Sequence, residues 1–572
     1  MATAEKAPAG VEESQAYLKG VAKYLLDKLF GPSGPAWGTP FSSLEGTALA
    51  LGGLVQKQFL DLALARQAAA FAAANGTCPC PSCGRPTNPD DPEPRVLTSR
   101  AGEVAWLEPQ RYCPRCRKAF FPQSKSLGID LGPYSTSVLD LTAHAAANQP
   151  SFREGSLNLA KYSGLRIHEK QVERVGKRIG AERVAERDAQ VDRFAALPLA
   201  ERCGQAPPGV AGPTPGRVAV VMADAGMLQL RAEPEASTEE AATAPGGAAD
   251  QGGQEEDDYD QDERPSGHHW HEDKVGLVLT MSAPACQADP CPEVPATFLD
   301  PQRVAQIVRG LKKSAPLSAD ERLGQDDAGE EAGEPDEGQQ GQATAEYQGP
   351  KLEKRQVVAS RRGWPLFGVM LAAAAWQAGF ANAQRKAFVA DGAKAIWVVW
   401  KKRFSGYVPI LDFIHALSYV YAAAKAVGAD AAQGWQLYAS WIDWVWQGKV
   451  GRVIEALKEW QREHGKPLKG ESKTSARGVV ARTLGYLENN RGKMNYATYR
   501  RRGLPIVSSL VESMVKQISR RVKGTEKFWT DDGAEAILQL RADYLSDGEV
   551  MAHFWQRRQD AATGQRCYRP RP

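Results

Sequence analysis

The sequence predicts a protein of several domains, with an α/β core, an all-helical region and a small cysteine-rich module. Two apolar stretches, 218–224 and 387–391, have the composition of buried strands, and each ends in an aspartate. Five of the nine cysteines lie within residues 78–116, and the stretch 413–490 has helical periodicity. With 572 residues, 42% of them hydrophobic, the chain can bury sizeable cores, which excludes the collagen-like and wholly disordered classes.

Further elements follow from the same patterns. Strands are predicted at 274–281 and 407–412, and helices at 301–313 and 365–384. The predicted domains are a helical region (11–75), a cysteine module (76–125), a helical domain (132–200), the first part of the α/β core (217–412), a helical insertion (413–500) and the last part of the core (501–560).

Charge is unevenly distributed along the chain. The net charge is only +3, but residues 232–263 hold 12 acidic and no basic residues, and residues 319–348 hold 10 acidic residues and one arginine. The remainder has 70 basic and 46 acidic residues, a net charge of +24. This excess predicts a polyanionic partner, although a generally basic soluble surface would have the same charge.

The two acidic segments are predicted to be disordered, because they have few large apolar residues to offset the entropy of ordering. They would either compete with a polyanion for the basic surface or be inert loops. Both interrupt the predicted α/β core.

The sequence predicts a cytoplasmic protein without a membrane span. Its first residues lack the basic-then-apolar pattern of a signal peptide. The longest uncharged run, 364–384, contains several small and amide residues and is predicted to be a buried helix. The cysteines are too few for a disulfide scaffold.

The cysteine module has the spacing of a zinc ribbon. Cys80-Pro-Ser-Cys83 and Cys113-Pro-Arg-Cys116 are separated by 29 residues, which include a predicted β-hairpin over 95–112. Four thiolates close a tetrahedron round one Zn²⁺, and they leave no open position for catalysis, so the ion would be structural. Cys78 is a spare that could replace Cys80.

A pair of helices follows the module. The sequence Ser151-Phe-Arg-Glu154 is a capping box, Gly164 begins a turn, and a second helix is predicted over 168–180. The outer face of this second helix is basic, with Lys170, Arg174, Lys177 and Arg178. The pair is a helix-turn-helix-like arrangement that could enter a major groove, or an ordinary basic helical hairpin.

Three carboxylates could converge on the α/β core. Asp224 and Asp391 end strands, and Glu512 lies early in a predicted helix. Such a set can bind two Mg²⁺ ions and support phosphodiester chemistry. Acidic residues commonly terminate strands without any such role, so these positions alone favour a purely structural interpretation.

The neighbours of these carboxylates add a further pattern. The sequence resembles the DDE transposases of bacterial insertion sequences, and within them the Kra-type family of the Mutator-like group. The matching stretches are 111–116 with Phe120-Phe121-Pro122, 389–397, 410–416, and the block from Asn489 through Arg502-Gly503-Leu504-Pro505, Val511-Glu512-Ser513 and Arg521-Val522-Lys523-Gly524 to Arg541.

The resemblance implies an RNase H-like core in which Asp224, Asp391 and Glu512 bind two Mg²⁺. Asp391 and Glu512 are separated by 121 positions, which fits the helical insertion that this group places before its catalytic glutamate. Asp412 and His415 match the Asp-x-x-His motif of the group, which is implied to support the active site. The alternative for His415 is a core histidine beside Asp412.

The expected function is therefore that of a transposase, which binds terminal inverted repeats and cuts and joins DNA. A homo-oligomer is expected, because two DNA ends must be held together. Its expected location is the bacterial cytoplasm, in association with the nucleoid. The alternatives are a domesticated, non-catalytic DNA-binding protein and an RNase H-like nuclease without strand transfer. Besides the helix pair, the expected phosphate contacts are Arg491, Lys493, Arg500, Arg501, Arg502, Arg520, Arg521 and Lys523.

Overall fold

A computed structural model of the chain describes residues 11–73, 78–130, 132–210, 212–231, 270–311 and 348–565, with only the backbone of 11–16. The predicted disordered segments, 232–263 and 319–348, lie outside the described residues, apart from residue 348. The chain divides into two compact units, Met1–Leu139 with Arg557–Pro572, and Asp140–Gln556.

The first unit contains two long helices and a three-stranded antiparallel sheet. The apolar side chains of Leu97, Val104 and Trp106 on this sheet pack against Leu60 and Leu64 of the second helix. The elements are α1 (Val11–Phe30), α2 (Phe41–Ala73), β1 (Asn88–Ser99), β2 (Gly102–Cys113), β3 (Lys118–Phe120) and α3 (Pro122–Ser126).

The β1–β2 hairpin was predicted, but β1 begins seven residues earlier than expected. Residues 89–94 contain three prolines and three acidic residues, which are poor strand formers. Prolines are tolerated there because β1 is an edge strand with a register shift between Asp90 and Glu93. The chain also returns to this unit at its end, where Gln565 pairs with Phe120 of β3.

Helix α2 is the one helix among the described residues that is long and apolar enough to cross a membrane, and none of its apolar window is buried. Charged residues interrupt it, and one of them contacts the sheet: Asp61 accepts a 3.0 Å hydrogen bond from the backbone N–H of Ala105. One such helix is weak evidence for a span. The uncharged run 364–384, in contrast, contains a buried helix as predicted.

The second unit is built on one mixed sheet. Its strands are ordered β6-β5-β4-β7-β8, and a short β9 pairs with the end of β4. β4 pairs antiparallel with β5 and parallel with β7, and β7 pairs parallel with β8. The strands are β4 (Arg217–Leu230), β5 (Trp270–Ser282), β6 (Lys351–Ser360), β7 (Lys386–Ala390), β8 (Val408–Leu411) and β9 (Phe528–Trp529).

Helices cover this sheet and extend from it. Those of the unit are α4 (Thr136–Asn148), which spans the boundary with the first unit, α5 (Phe152–Ser163), α6 (Glu169–Ala196), α7 (Leu199–Gly204), α8 (Pro301–Gly310), α9 (Trp364–Gln377), α10 (Lys394–Arg403), α11 (Phe413–Val427), α12 (Ala431–Trp446), α13 (Val450–His464), α14 (Ala476–Asn490), α15 (Tyr496–Arg501), α16 (Ser509–Val522), α17 (Asp531–Leu545) and α18 (Val550–Asp560), which crosses the other boundary. Helices α11 to α14 confirm the predicted helical stretch between β8 and Glu512.

The predicted helix pair is present, but its second helix is longer than expected. α5 begins at the Ser151 cap and ends at Gly164, whose left-handed φ of 71° ends the helix. α6 continues to Ala196 and packs along α17, where Gly180 allows close approach to Ala536, while Gly176 allows close approach to Ala146 of α4. The pair lies in the same compact unit as the central sheet.

Candidate metal centres

Two candidate metal centres lie in the described residues, and the acidic one is assembled at the C-terminal ends of the parallel strands. β7 and β8 are followed directly by Asp391 and Asp412. Asp224 lies just beyond Met222, the last residue of β4 that pairs with β7. The parallel arrangement therefore brings three aspartates to one edge of the sheet.

The structure corrects the placement of Asp224 at a strand end. β4 continues to Leu230, and Asp224 is paired with Val275 of the antiparallel neighbour β5. Only the parallel half of the pairing ends near this residue. Asp224 therefore marks the point where the pairing of β4 with β7 has ended while its pairing with β5 continues.

Glu512 comes to the same edge on helix α16, as predicted. It lies in the first turn, while Val511, Met514 and Ile518 form the buried face of this helix against the sheet. The hydroxyl of Ser508, just before the helix, donates a 3.2 Å hydrogen bond to Oε1 of Glu512. Because the apolar face of α16 packs against the sheet, Glu512 lies at the edge of the core.

The electrostatics show that three of these carboxylates share one environment. Burial, together with the negative charges of Asp391 and Glu512, raises the pKa of Asp224 to about 7. Burial also raises the pKa of Glu512. Three carboxylates held together in this way repel one another, and this repulsion favours a bound cation or a proton.

Asp412 and His415 form a buried pair beside these carboxylates. Oδ1 of Asp412 accepts from the backbone N–H of His415 at 2.8 Å and lies 3.2 Å from His415 Nδ1. Its Oδ2 accepts from the backbone N–H of Ser508. Burial would raise the pKa of Asp412, but these hydrogen bonds and the charge of His415 lower it.

His415 is held in its charged form by this arrangement. Burial lowers its pKa, but the hydrogen bond to Asp412 and the charges of Asp412, Asp391 and Glu512 outweigh burial and raise it to about 9. The imidazole Nδ1 lies 3.8 Å from Glu512 Oε1. His415 is thus the buried partner of Asp412, as the alternative interpretation expected, and it is also a cation close to Glu512.

Asp412, His415 and Glu512 have ligand atoms within 4.8 Å of one another and could hold a metal ion. Both oxygens of Asp412 already accept hydrogen bonds from His415 and Ser508. A positioning role is therefore more consistent with Asp412 than a ligand role. Ser508 was not singled out from the sequence, since a serine before a helix has many ordinary uses.

The second centre is the cysteine tetrad of the first unit. The Sγ atoms of Cys80 and Cys116 are 3.9 Å apart and those of Cys83 and Cys113 are 3.7 Å apart. A zinc tetrahedron with Zn–S bonds of about 2.3 Å separates its sulfurs by about 3.8 Å, so the four thiols fit one Zn²⁺ ion. Cys78 is outside the tetrad.

The local backbone prepares the tetrad for metal binding. Burial would raise the pKa of Cys80, but hydrogen bonds from the backbone N–H groups of Ser82 and Cys83 and from the neighbouring thiols together lower it to about 7, which favours the thiolate that binds metal. Gly84 and Arg117 follow the two knuckles with left-handed φ angles of 69° and 51°. The two Cys-x-x-Cys turns therefore end in similar conformations, although only one has a glycine.

Most of the basic residues predicted to contact phosphates are accessible. Lys177 and Lys493 are partly buried, and Lys177 forms a 2.6 Å ion pair with Glu173. The exposed ones are Lys170, Arg174, Arg178, Arg491, Arg501, Arg502, Arg520 and Lys523.

Arg500 and Arg521 correct the predicted set of phosphate contacts. Arg500 is 1% exposed, lies over the ring of Trp446 and pairs with Asp289. Arg521 is 3% exposed and donates to the backbone carbonyl of Ala146 at 2.7 Å. Both guanidinium groups are buried within the protein, so neither can reach a phosphate without rearrangement.

No family model matches the chain, and no curated protein matches it either. The assignment of a function therefore depends on the residues of the two centres and on the fold that holds them.

Proposed function

We propose that the protein is a DDE-type DNA transposase, which cuts the ends of an insertion sequence and joins them to target DNA. The observation that supports this most strongly is the convergence of Asp224, Asp391 and Glu512. The pKa of Asp224 is raised to about 7 by burial and by the charges of the other two. Carboxylates shared between two strands and a helix are a typical ligand set for the divalent ions of phosphodiester chemistry.

The fold supports an RNase H-like core for this unit. On one side of the central strand β4, the strands β4, β5 and β6 are each antiparallel to the next, and on its other side β7 and β8 run parallel to β4. The helical insertion, α11 to α14, lies between β8 and the helix that holds Glu512. This is the position that the transposase resemblance implies for such an insertion.

Asp224, Asp391 and Glu512 would hold two Mg²⁺ ions. When bound, these ions would supply an activated water or 3′-hydroxyl group and stabilise charge on the leaving oxygen. The pKa of Asp224 fits this role, because a bound cation would offset both the burial and the carboxylate repulsion that raise it. His415, held by Asp412, would add a fixed positive charge that restrains the Glu512 carboxylate.

The basic residues and the zinc ribbon would hold DNA. Helix α6 presents Lys170, Arg174 and Arg178 at its surface, and Arg501, Arg502 and Lys523 lie on segments that flank the helix of Glu512. Phosphate contacts of this kind predict an affinity that falls steeply with salt. Zn²⁺ in the cysteine tetrad would be structural, since four thiolates complete its coordination.

Two DNA ends must be processed together, so we propose that the working form is a homo-oligomer on double-stranded DNA in the bacterial cytoplasm. The substrate can be sought in the DNA that flanks the reading frame, because terminal inverted repeats would lie on either side of it. Target-site choice would be set by contacts outside the carboxylate cluster.

The test uses the full-length protein, Mg²⁺ and a linear DNA that contains both flanking ends. The expected result is cleavage at the ends and joining of the freed 3′ ends to a plasmid. Asp224→Asn, Asp391→Asn and Glu512→Gln should each abolish both products. Asp430→Asn is a matched control, because Asp430 caps α12 and asparagine caps a helix equally well.

The outcomes separate the alternatives. Cleavage without joining, lost in the three variants, would indicate a nuclease. Specific binding of the ends without either product would indicate a non-catalytic DNA-binding protein. Products that persist in the variants would show that the triad is wrongly assigned.

A further inference from the structure

We propose that Tyr486 is a positioning residue for Asp391, an inference that rests on the proposed function. Tyr486 lies on α14, the last helix of the helical insertion, and is 95 positions from Asp391. Its hydroxyl group donates a 2.6 Å hydrogen bond to the backbone carbonyl oxygen of Asp391. The helical insertion therefore contacts the turn that presents a proposed metal ligand.

This turn is unusually constrained. Gly392 has a φ of +109°, in a region that L side chains rarely adopt. A Cβ atom there would lie 2.7 Å from Cε2 of Tyr486 and 3.2 Å from Cδ1 of Leu411. The tyrosine ring thus packs directly on the glycine, and the turn cannot shift toward the insertion.

The hydrogen bond acts on the carboxylate through the geometry of the turn. Oδ1 of Asp391 accepts a 2.9 Å hydrogen bond from the backbone N–H of Ala393, just before helix α10. The carbonyl held by Tyr486 belongs to the peptide between Asp391 and Gly392. Tyr486 therefore holds the first peptide of a short turn whose second peptide, through the N–H of Ala393, binds the Asp391 carboxylate, and we infer that it restrains the direction in which this carboxylate points.

Tyr486 is itself well positioned for this role. Its ring stacks on that of Tyr419 of α11, with centroids 3.8 Å apart and planes at 7°. A tyrosine hydroxyl group is neutral at pH 7, so it can donate this hydrogen bond. The stacked pair links α14 to α11, the helix that Asp412 caps and that contains His415.

The test substitutes phenylalanine, which keeps the ring and removes the hydroxyl group. In Tyr486→Phe, the Mg²⁺ concentration for half-maximal DNA cleavage should rise about three- to tenfold, the effect of losing one hydrogen bond. Mn²⁺ binding to the zinc-loaded, DNA-free protein should weaken by a similar factor. Tyr419→Phe is the control: it keeps the stacked rings, and its hydroxyl group makes no hydrogen bond to the residues described, so both values should stay within about twofold.

Unchanged Mn²⁺ affinity and unchanged Mg²⁺ dependence in Tyr486→Phe would overturn the inference. A lower melting temperature and a lower rate at every Mg²⁺ concentration, without a shift in metal dependence, would also overturn it, since that is a purely structural effect. Asp391→Asn separates this failure from that of the proposed function. If Asp391→Asn binds Mn²⁺ as tightly as the wild type does, the assignment of the metal centre is wrong. If the wild type binds Mn²⁺ but does not cleave DNA, the proposed function fails, and the Mn²⁺ affinity of Tyr486→Phe still tests the role of Tyr486.

Discussion

The cysteine tetrad and the acidic centre are both suited to metal ions, but they are built in opposite ways. The tetrad comes from two Cys-x-x-Cys turns within residues 80–116, and Cys80 and Cys113 are buried. The acidic centre joins residues from 224 to 512, and Asp224, Asp391 and Glu512 are all partly exposed. A closed set of thiolates suits a structural ion, whereas partly exposed carboxylates leave room for a substrate.

The two centres also differ in the groups that offset the negative charge of their thiolates and carboxylates. The tetrad relies on backbone N–H groups and the metal, while the acidic centre already has a cation, His415, at 3.8 Å from Glu512. We therefore expect the ribbon to need its ion in order to fold, and the acidic centre to stay folded without one. The predictions below test this contrast.

The largest effect is expected for the ribbon. A Cys113→Ser/Cys116→Ser variant should lose its single zinc ion and with it about 10 kcal/mol of folding free energy of the module. Metal analysis should show one zinc per chain in the wild type and none in the variant. Hydrogen exchange should be fast in β1 and β2 of the variant but unchanged in β4 and β5. Cys78→Ser is the control, and a loss of zinc there would refute the tetrad.

The acidic centre should respond in activity without a change in fold. Glu512→Gln should lower DNA cleavage about 10³-fold, equal to about 4 kcal/mol of transition-state stabilisation. The zinc content and the melting temperature should remain close to those of the wild type. Single-turnover cleavage measures the rate, and a reduction of less than tenfold would argue against Glu512 as a ligand.

The contrast explains what could be predicted from the sequence. The tetrad follows from local spacing, and the β1–β2 hairpin from the pattern between its knuckles. The positions of Asp391 and Glu512 also follow from local patterns, an apolar strand and an amphipathic helix. Whether Asp391 and Glu512 lie near each other depends on the strand order, which local sequence patterns do not determine. The expectation that they do came from the transposase resemblance.

Other features depend on partners that are distant in sequence. β6 was not predicted, because residues 351–356 are highly charged and none of them is buried, and only its last four residues are buried. Arg500 and Arg521 have the same basic character as their exposed neighbours. Only the structure shows Asp289 and Trp446 beside Arg500, so the basic pattern overestimated the number of arginines that are accessible for phosphate contacts.

The buried Asp412–His415 pair should be important for stability. Asp412→Asn would leave the His415 cation and the N–H of Ser508 without their charged acceptor, at a cost of about 3 kcal/mol. Urea unfolding at pH 7 measures this change. The exposed helix cap Asp430→Asn should be close to neutral, and an equally small effect of Asp412→Asn would contradict the proposed support role.

The smallest effect is an increase in stability. The folded-state pKa of Asp224 is about 7, above its ordinary value of 3.8, so ionising it costs stability as the pH rises from about 4 to about 7. Asp224→Asn removes this cost and should stabilise the Mg²⁺-free protein by about 1–3 kcal/mol at pH 8 and very little at pH 4. Saturating Mg²⁺ should reverse the order, because only the wild type gains from the ion. Urea unfolding at the two pH values measures the difference, and a pH-independent effect would argue against the raised pKa.

The most direct test of the central claim is joining of a pre-cut DNA end to a plasmid. The full-length protein, Mg²⁺ and a labelled fragment with one flanking end and a free 3′-hydroxyl group are incubated with supercoiled plasmid. We expect labelled, joined plasmid with the wild type and with Asp430→Asn, and none with Asp391→Asn. No joined product from wild-type protein that retains its zinc and binds the labelled end would contradict the assignment as a transposase.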